Sequence, residues 1–152
     1  MAVSIRVQEA DFDPGAELAA VTEGRTDVGG TCLFVGQVRE FGDGETLTAM
    51  ELEHYPGMTE KELERIAGEA ADRFAVSDIT LIHRVGRLVP ADRIVLVIAA
   101  GPHRADAFDA CRFLIDWLKT RAPFWKREHG PDGSHWVAAK DSDAAAAGRW
   151  RE

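Results

Sequence analysis

Apolar positions along the chain switch between a two-residue period and one of roughly 3.6 residues, and the switches divide it into elements. Val3 to Gln8 alternates like a short strand. Pro14 to Glu23 follows as a helix, with proline in its first turn and Leu18, Ala19 and Val21 on one side. Thr31 to Arg39 (TCLFVGQVR) is β-branched and apolar, a strand whose Gly36 predicts a bulge or a close backbone approach. The glycine loop Glu40 to Glu45 leads into Leu47 to His54, which alternates again. Thr59 to Phe74 has an apolar stripe of Leu63, Ile66, Ala67, Ala70 and Phe74, and Thr59 with Glu62 fits a capping box. Ile79 to Arg84 and Arg93 to Ala100 are strands around a turn at Val89 to Asp92, and RIVLVIAA has the uniform apolarity of a central buried strand. His103 to Arg121 is the most regular helix, with Ala107, Phe108, Cys111, Leu114, Ile115 and Leu118 at helical spacing and Pro123 to stop it. Phe124 to Glu128 and His135 to Ala138 flank HGPDGS and predict a closing hairpin. Ala144 to Gly148 reads as a weak helix or a loose tail beyond about residue 141.

The resulting order, β-α-β-β-α-β-β-α-β-β, pairs neighbouring strands and predicts an α+β fold, mostly antiparallel, in one domain over residues 1–152. No apolar run approaches the ~20 residues of a membrane span. The first residues lack the basic-then-apolar pattern of a secretory signal, so a cytoplasmic protein is expected. Cys32 and Cys111 sit inside apolar patterns and read as buried thiols, not as a nucleophile, a disulfide or a metal site. His54, His83, His129 and His135 have no metal-ligand spacing and no evident acidic partner, and no metal is assigned. Trp117, Trp125, Trp136 and Trp150 read as packing residues.

Charge changes the picture. The formal net charge is -8, which disfavours a general nucleic-acid binder. Yet Lys119 to Arg127 (KTRAPFWKR) holds Lys119, Arg121, Lys126 and Arg127 and no acid, with two of the chain's four lysines. Cations ending a helix offset its dipole, which accounts for Lys119 and Arg121 as structure alone. Lys126 and Arg127 follow Pro123, where alternation puts Phe124, Lys126 and Glu128 on one side and Trp125 and Arg127 on the other. With Trp125 turned into a core, Lys126 would point away from it, and Lys119 and Lys126 could face one pocket. A lysine crowded by other cations releases its proton more readily and can act as acid, base or nucleophile. His103 and Arg104 open the same helix, where free N–H groups and a guanidinium favour an anion. About 18 residues of helix span roughly 27 Å, so this pair reaches Lys119 only across a symmetric dimer. Arg39 closes a strand beside a glycine loop, a common site position. By chemistry alone the chain is a dimeric α+β protein binding a small phosphorylated ligand, as an enzyme or as a non-catalytic module.

Several segments together resemble the catalytic, large-subunit family of molybdopterin synthase: FVGQVRE (Phe34 to Glu40), LEHYPGM (Leu52 to Met58), IHRVGRL (Ile82 to Leu88), His103 to Glu128, and HWV (His135 to Val137). The resemblance implies an α/β-hammerhead with an additional small antiparallel β subdomain. It also implies a homodimer core in a heterotetramer with a small ubiquitin-like sulfur carrier ending in a Gly-Gly thiocarboxylate. The implied reaction transfers two sulfurs to cyclic pyranopterin monophosphate, making the dithiolene of molybdopterin without a resident cofactor or metal. By the same resemblance Lys119 and Lys126 are catalytic, and Gln37, Val38, Arg39, His103, Arg104, Arg127 and Glu128 contact substrate. Family members often carry lysine where this chain has Arg127, which keeps the charge but not the basicity.

Overall fold

The computed structural model describes residues 2–42, 45–131, 133–137 and 141–150. Lys140, Ala138 and the middle of the glycine loop lie outside the described residues. Two four-stranded sheets organise the chain. The first runs β1 (Ala2–Gln8), β6 (Asp78–Arg84), β8 (Arg93–Gly101), β2 (Gly30–Gln37). Only β1 and β6 are parallel; the other pairs are antiparallel.

β8 is interior, and its alternate residues supply two cores. Val95, Val97 and Ala99 face α2 (Met58–Arg73) and α3 (Arg104–Arg121), with Leu63, Ile66, Phe113 and Leu114 across from them. Leu96 and Ile98 face the other way, with Ile82, Phe12 and Val21 from the end of α1 (Pro14–Thr22). Because both faces are covered, this strand reads as continuously apolar. Asp13 caps α1 by accepting from Ala16 N at 3.2 Å.

The second sheet is antiparallel throughout, in the order β10 (Gly133–Val137), β9 (Phe124–Gly130), β5 (Ala49–His54), β7 (Gly86–Leu88). Its inner face buries Met50, Leu52 and Leu88 with Val38, Leu47 and Val85. A two-stranded ribbon, β3 (Phe41–Gly42) and β4 (Glu45–Thr46), stands beside it. This is the α+β arrangement with a small antiparallel subdomain that the sequence pattern and the resemblance imply.

Three details differ from the sequence reading. β2 stops at Gln37, because Val38 N–H donates to Asp92 O and Val38 O accepts from Ala91 N, loop partners in place of a ladder. β7 replaces what reads as connection: Gly86 takes φ 89°, a left-handed conformation that turns the chain out of β6 and onto β5. Thr59 does not cap α2; the Glu60 carboxylate accepts from Gly57 N–H at 2.7 Å, and Thr59 is drawn inward and fully buried. Of the two readings of the C-terminal segment the helix holds: it is α4 (Asp141–Gly148), packed against α3.

Beyond α4, Trp150 packs edge-on against Phe74 and Phe113, with centroids 5.8 and 5.5 Å away, and its indole N–H donates to Asp116 at 2.7 Å. Arg73 reaches the Trp150 carbonyl at 2.6 Å, so the end of the chain is tied to α2 as well as α3. Losing a large aromatic with its hydrogen bond from such a site costs about 2 to 4 kcal/mol. Trp150→Ala is therefore expected to lower the urea midpoint by that equivalent; an unchanged midpoint would mean that the segment adds nothing to the core.

Candidate functional site

The four cations between Lys119 and Arg127 are not equivalent, and the fold sorts them. Arg121 is occupied by α2: its guanidinium pairs with Glu62 at 2.9 Å and Glu69 at 2.8 Å and lies over the Trp117 ring at 5.0 Å. Arg127 lies over Trp136 at 4.5 Å. It is registered opposite Glu51, on the outward face of the second sheet. Lys119 is exposed in the last turn of α3. Lys126 is half-buried and pairs with Glu128 at 3.4 Å. An ion pair this accessible contributes under about 1 kcal/mol, so Lys126 can exchange Glu128 for a bound anion at small cost.

The alternation along β9 holds, but its polarity is the reverse of the expected one. Residues directly opposite in an antiparallel pair share a face. Lys126 is registered with buried Leu52, and Glu128 with buried Met50. The inward face is therefore that of Phe124, Lys126 and Glu128. Trp125 does not enter a core; it is 49% exposed, and Trp136 is 50% exposed. The two stack edge-on at 6.4 Å, with Tyr55 6.1 Å from Trp125. Glu53, His54, Tyr55 and the two tryptophans line a shallow open hollow of about 320 Å³. Reading both tryptophans as packing residues is corrected here: the sheet has only one apolar layer to offer, and Phe124 takes it.

The bend between the two lysines is fixed from outside. Ala122 is extended at the end of α3, and the Pro123 carbonyl accepts from Thr59 Oγ1 at 3.3 Å. The same Oγ1 accepts from Tyr55 N at 3.0 Å. Next in line, Phe124 stacks on His83 at 3.9 Å with planes 19° apart, and it packs against both cores.

His83 itself is 7% exposed, and its Nδ1 lies 2.8 Å from the Arg84 carbonyl. Burial, opposed by that hydrogen bond and reinforced by the charges of Lys119 and His54, pushes its pKa down to about 4. Lys119 thus sits within electrostatic reach of the ring that Phe124 covers, and Lys126 follows two residues along the same face. No sequence spacing singles out His83, although a lone histidine inside the apolar strand DITLIHR is the visible trace. Two other histidines do have acidic partners: His129 with Glu51 at 3.1 Å and His54 with Glu60 at 3.5 Å.

Of the remaining expected site residues, Arg39 is exposed at the rim of this region, just after Val38. Val38 shares its core with Leu52 and Met50. Its side chain is 3% exposed, and both its backbone groups are bonded to the loop at Ala91 and Asp92. Gln37 is exposed and donates to Ala91 O at 3.3 Å. His103 and Arg104 are exposed at the opposite end of α3, 18 residues long, and do not join the lysines within one chain. That end is pinned by close packing: a Cβ on Gly29 would lie 2.0 Å from the Pro102 carbonyl. Burial, with the neighbouring Cys32 thiol, pushes the Cys111 thiol well above its ordinary range, which suppresses the reactive thiolate.

Two measurements check this geometry. Thr59→Val keeps shape and removes a donor and an acceptor from a buried position; it is expected to cost about 1 to 3 kcal/mol in unfolding free energy. The His83 pKa sets a pH dependence. The unfolded imidazole takes a proton below pH ~6.5 while the folded one stays neutral until near 4, so this contribution is complete above 6.5 and is lost as pH falls through that window. Urea titrations of wild type and His83→Phe should diverge between these pH values by up to roughly 3 kcal/mol, and parallel curves would remove His83 as the cause.

The sequence model of the family described as "MoaE protein" matches residues 7–121. The chain is 52% identical over 153 residues to a "Molybdopterin synthase catalytic subunit" of Mesorhizobium japonicum, covering 99% of this chain and 95% of that one. Among solved structures it is similar to a Molybdopterin biosynthesis MoaE protein from Burkholderia ambifaria, with a TM-score of 0.83 at 52% identity over 99% and 98% of the two chains. It is also similar to Molybdopterin Synthase from Staphylococcus aureus, with a TM-score of 0.79 at 30% identity over 87% and 95%. The chain belongs to the MoaE family, that of the molybdopterin synthase catalytic subunits.

Proposed function

We propose that this chain transfers sulfur from the C-terminal thiocarboxylate of a small ubiquitin-like carrier to cyclic pyranopterin monophosphate, building the dithiolene of molybdopterin. The reading is supported by two cations placed on either side of the Phe124 that stacks on His83: Lys119 in the last turn of α3, and Lys126 on the same face of β9 as Phe124. Both the thiocarboxylate and the phosphate are anions, and both steps develop negative charge. Two cations on rigid elements stabilise that charge without reorganising. Each transfer forms a carbon–sulfur bond on the pterin side chain as a carbon–oxygen bond there breaks, in one case by opening of the cyclic phosphate, which keeps the oxygen, and in the other with the oxygen leaving as water. Water then cleaves the carrier's acyl–sulfur bond, leaving the carrier as a carboxylate. The sulfur comes from the carrier, in keeping with a Cys111 thiol that burial keeps protonated.

The catalytic core is a homodimer with a carrier on each protomer. His103 and Arg104 serve the neighbouring protomer's lysines, because a helix of 18 residues separates them from their own. Arg39, Gln37, Arg127 and Glu128 complete the substrate contacts around the lysines, and Val38 supports them from the core.

The test is a reconstitution of the chain with a thiocarboxylated carrier and cyclic pyranopterin monophosphate, read as the oxidised fluorescent derivative of the dithiolene. Product should depend on the thiocarboxylate, and Lys119→Ala and Lys126→Ala should each lower it by about 100-fold or more. A stable carrier complex that makes no product would leave a binding module in place of an enzyme. Mixing Lys119→Ala with Arg104→Ala should restore activity toward about a quarter of wild type, since half of randomly mixed dimers carry one intact shared site. No recovery on mixing would confine each site to one protomer.

A further inference from the structure

Arg39 stands at the mouth of a glycine loop, yet the backbone on both sides of it is anchored. Before it, Val38 N–H donates to Asp92 O at 2.9 Å, and Val38 O accepts from Ala91 N–H at 2.8 Å. The Val38 side chain is buried with Leu52, the residue registered opposite Lys126. After it, Glu40 O accepts from Leu47 N–H at 2.6 Å. Arg39 itself stays exposed. A cationic side chain open to solvent is thus mounted on backbone that cannot drift with the loop.

The anchor before Arg39 is a turn with a strained residue in it. Asp92 N–H donates to Val89 O at 3.0 Å and closes four residues around Pro90 and Ala91. Proline suits the second place of such a turn, and the third place of its type II form needs a positive φ, which glycine normally supplies. Here that place holds Ala91 at φ 79°, the one non-glycine residue with positive φ among the described residues. Side chains brace the turn from two sides. The Asp92 carboxylate accepts from Val89 N–H at 2.9 Å, and Gln37 Nε2 donates to Ala91 O at 3.3 Å. The β2–β8 ladder shifts register between Gly36 and Gln37 at the same level, so the turn takes over from the ladder as the partner of Val38.

We propose that the turn at residues 89–92 is a positioning device for Arg39, and that Asp92, which closes it through both its backbone and its carboxylate, is the positioning residue. The inference rests on the reading of Arg39 as a substrate contact and deepens it by naming what aims that contact. A guanidinium binds an anion through a planar fork, so its base must be held at a fixed angle. An arginine on a wandering loop would lose that freedom on each binding event, which weakens binding. Asp92 touches no reacting atom in this role; it acts through Arg39.

In the reconstituted reaction Asp92→Ala should raise KM for cyclic pyranopterin monophosphate by about 3- to 10-fold, with kcat and the KM for the thiocarboxylated carrier little changed. Asp92→Asn keeps an oxygen that can accept from Val89 N–H and should return most of the loss. In an Arg39→Ala background Asp92→Ala should raise KM no further, because the two act as one unit. A full second increase there, or a fall in kcat with KM unmoved, overturns the proposal.

Nuclear relaxation of backbone 15N separates this inference from the sulfur-transfer reading. The Arg39 amide should have an order parameter near about 0.85 in wild type, falling toward roughly 0.6 in Asp92→Ala while the amides of β2 stay rigid. An unmoved Arg39 amide overturns the positioning role. Should Asp92→Ala not fold, Gln37→Glu removes the donor to Ala91 O at an exposed position, and the same drop at Arg39 is expected. If wild type makes no dithiolene, the sulfur-transfer reading fails, while these order parameters still decide whether the turn holds Arg39.

Discussion

The hydrogen bond from Thr59 Oγ1 to the Pro123 carbonyl is the constraint on which the site depends. A chain leaving a helix after 18 residues can set off in many directions, and Pro123 restricts only its own φ and the residue before it. The buried hydroxyl selects one. It holds the second residue after α3, Pro123, against the first turn of α2, and from there β9 can enter the second sheet beside β5. Phe124 then reaches across both cores to stack on His83. Lys119, Lys126 and His83 therefore owe their common neighbourhood to an interaction that none of them makes.

Around that bend, the chain separates charge by function. An acidic protein with a cluster of cations can neutralise them internally or leave them for a ligand. Here Arg121 is given two glutamates of α2, and Arg127 an aromatic face and an opposing Glu51. Lys126 has the half-exposed Glu128 pair, which an incoming anion can displace at small cost. The arginines suit the fixed roles, since a planar guanidinium binds two carboxylates or stacks on a ring while staying charged. The lysines occupy the places where a compact, mobile and deprotonatable group is useful.

Much of this was legible in the residues. β8 stood out because a strand covered on both faces is apolar at every position, and α3 because its stripe is long and its stop is a proline. KTRAPFWK drew attention through charge alone. What the pattern could not supply was polarity and partnership. Alternation correctly separates Phe124, Lys126 and Glu128 from Trp125 and Arg127, but it does not say which set faces inward; that follows from the register with Leu52 and Met50. β7 was hidden because three residues carry too little period to read, and its partner β5 lies over thirty residues earlier. His83 was passed over because a histidine's role comes from what surrounds it in space, and Lys119 and Phe124 are both far along the chain.

The parallel pairing of β1 with β6 has a consequence for the order of events on the ribosome. Ala2 is registered with Asp78, so β1 is synthesised roughly 4 to 15 s before its only neighbour in the sheet at ordinary elongation rates. A completed strand without a partner invites pairing with other nascent chains. β1 carries its own protection in Ser4, Arg6 and Gln8 at alternate positions, which make one face polar. In the finished fold Arg6 is paired with Glu17 of α1. The residues of that helix follow β1 directly, so Glu17 is at hand for Arg6 long before β6 is made.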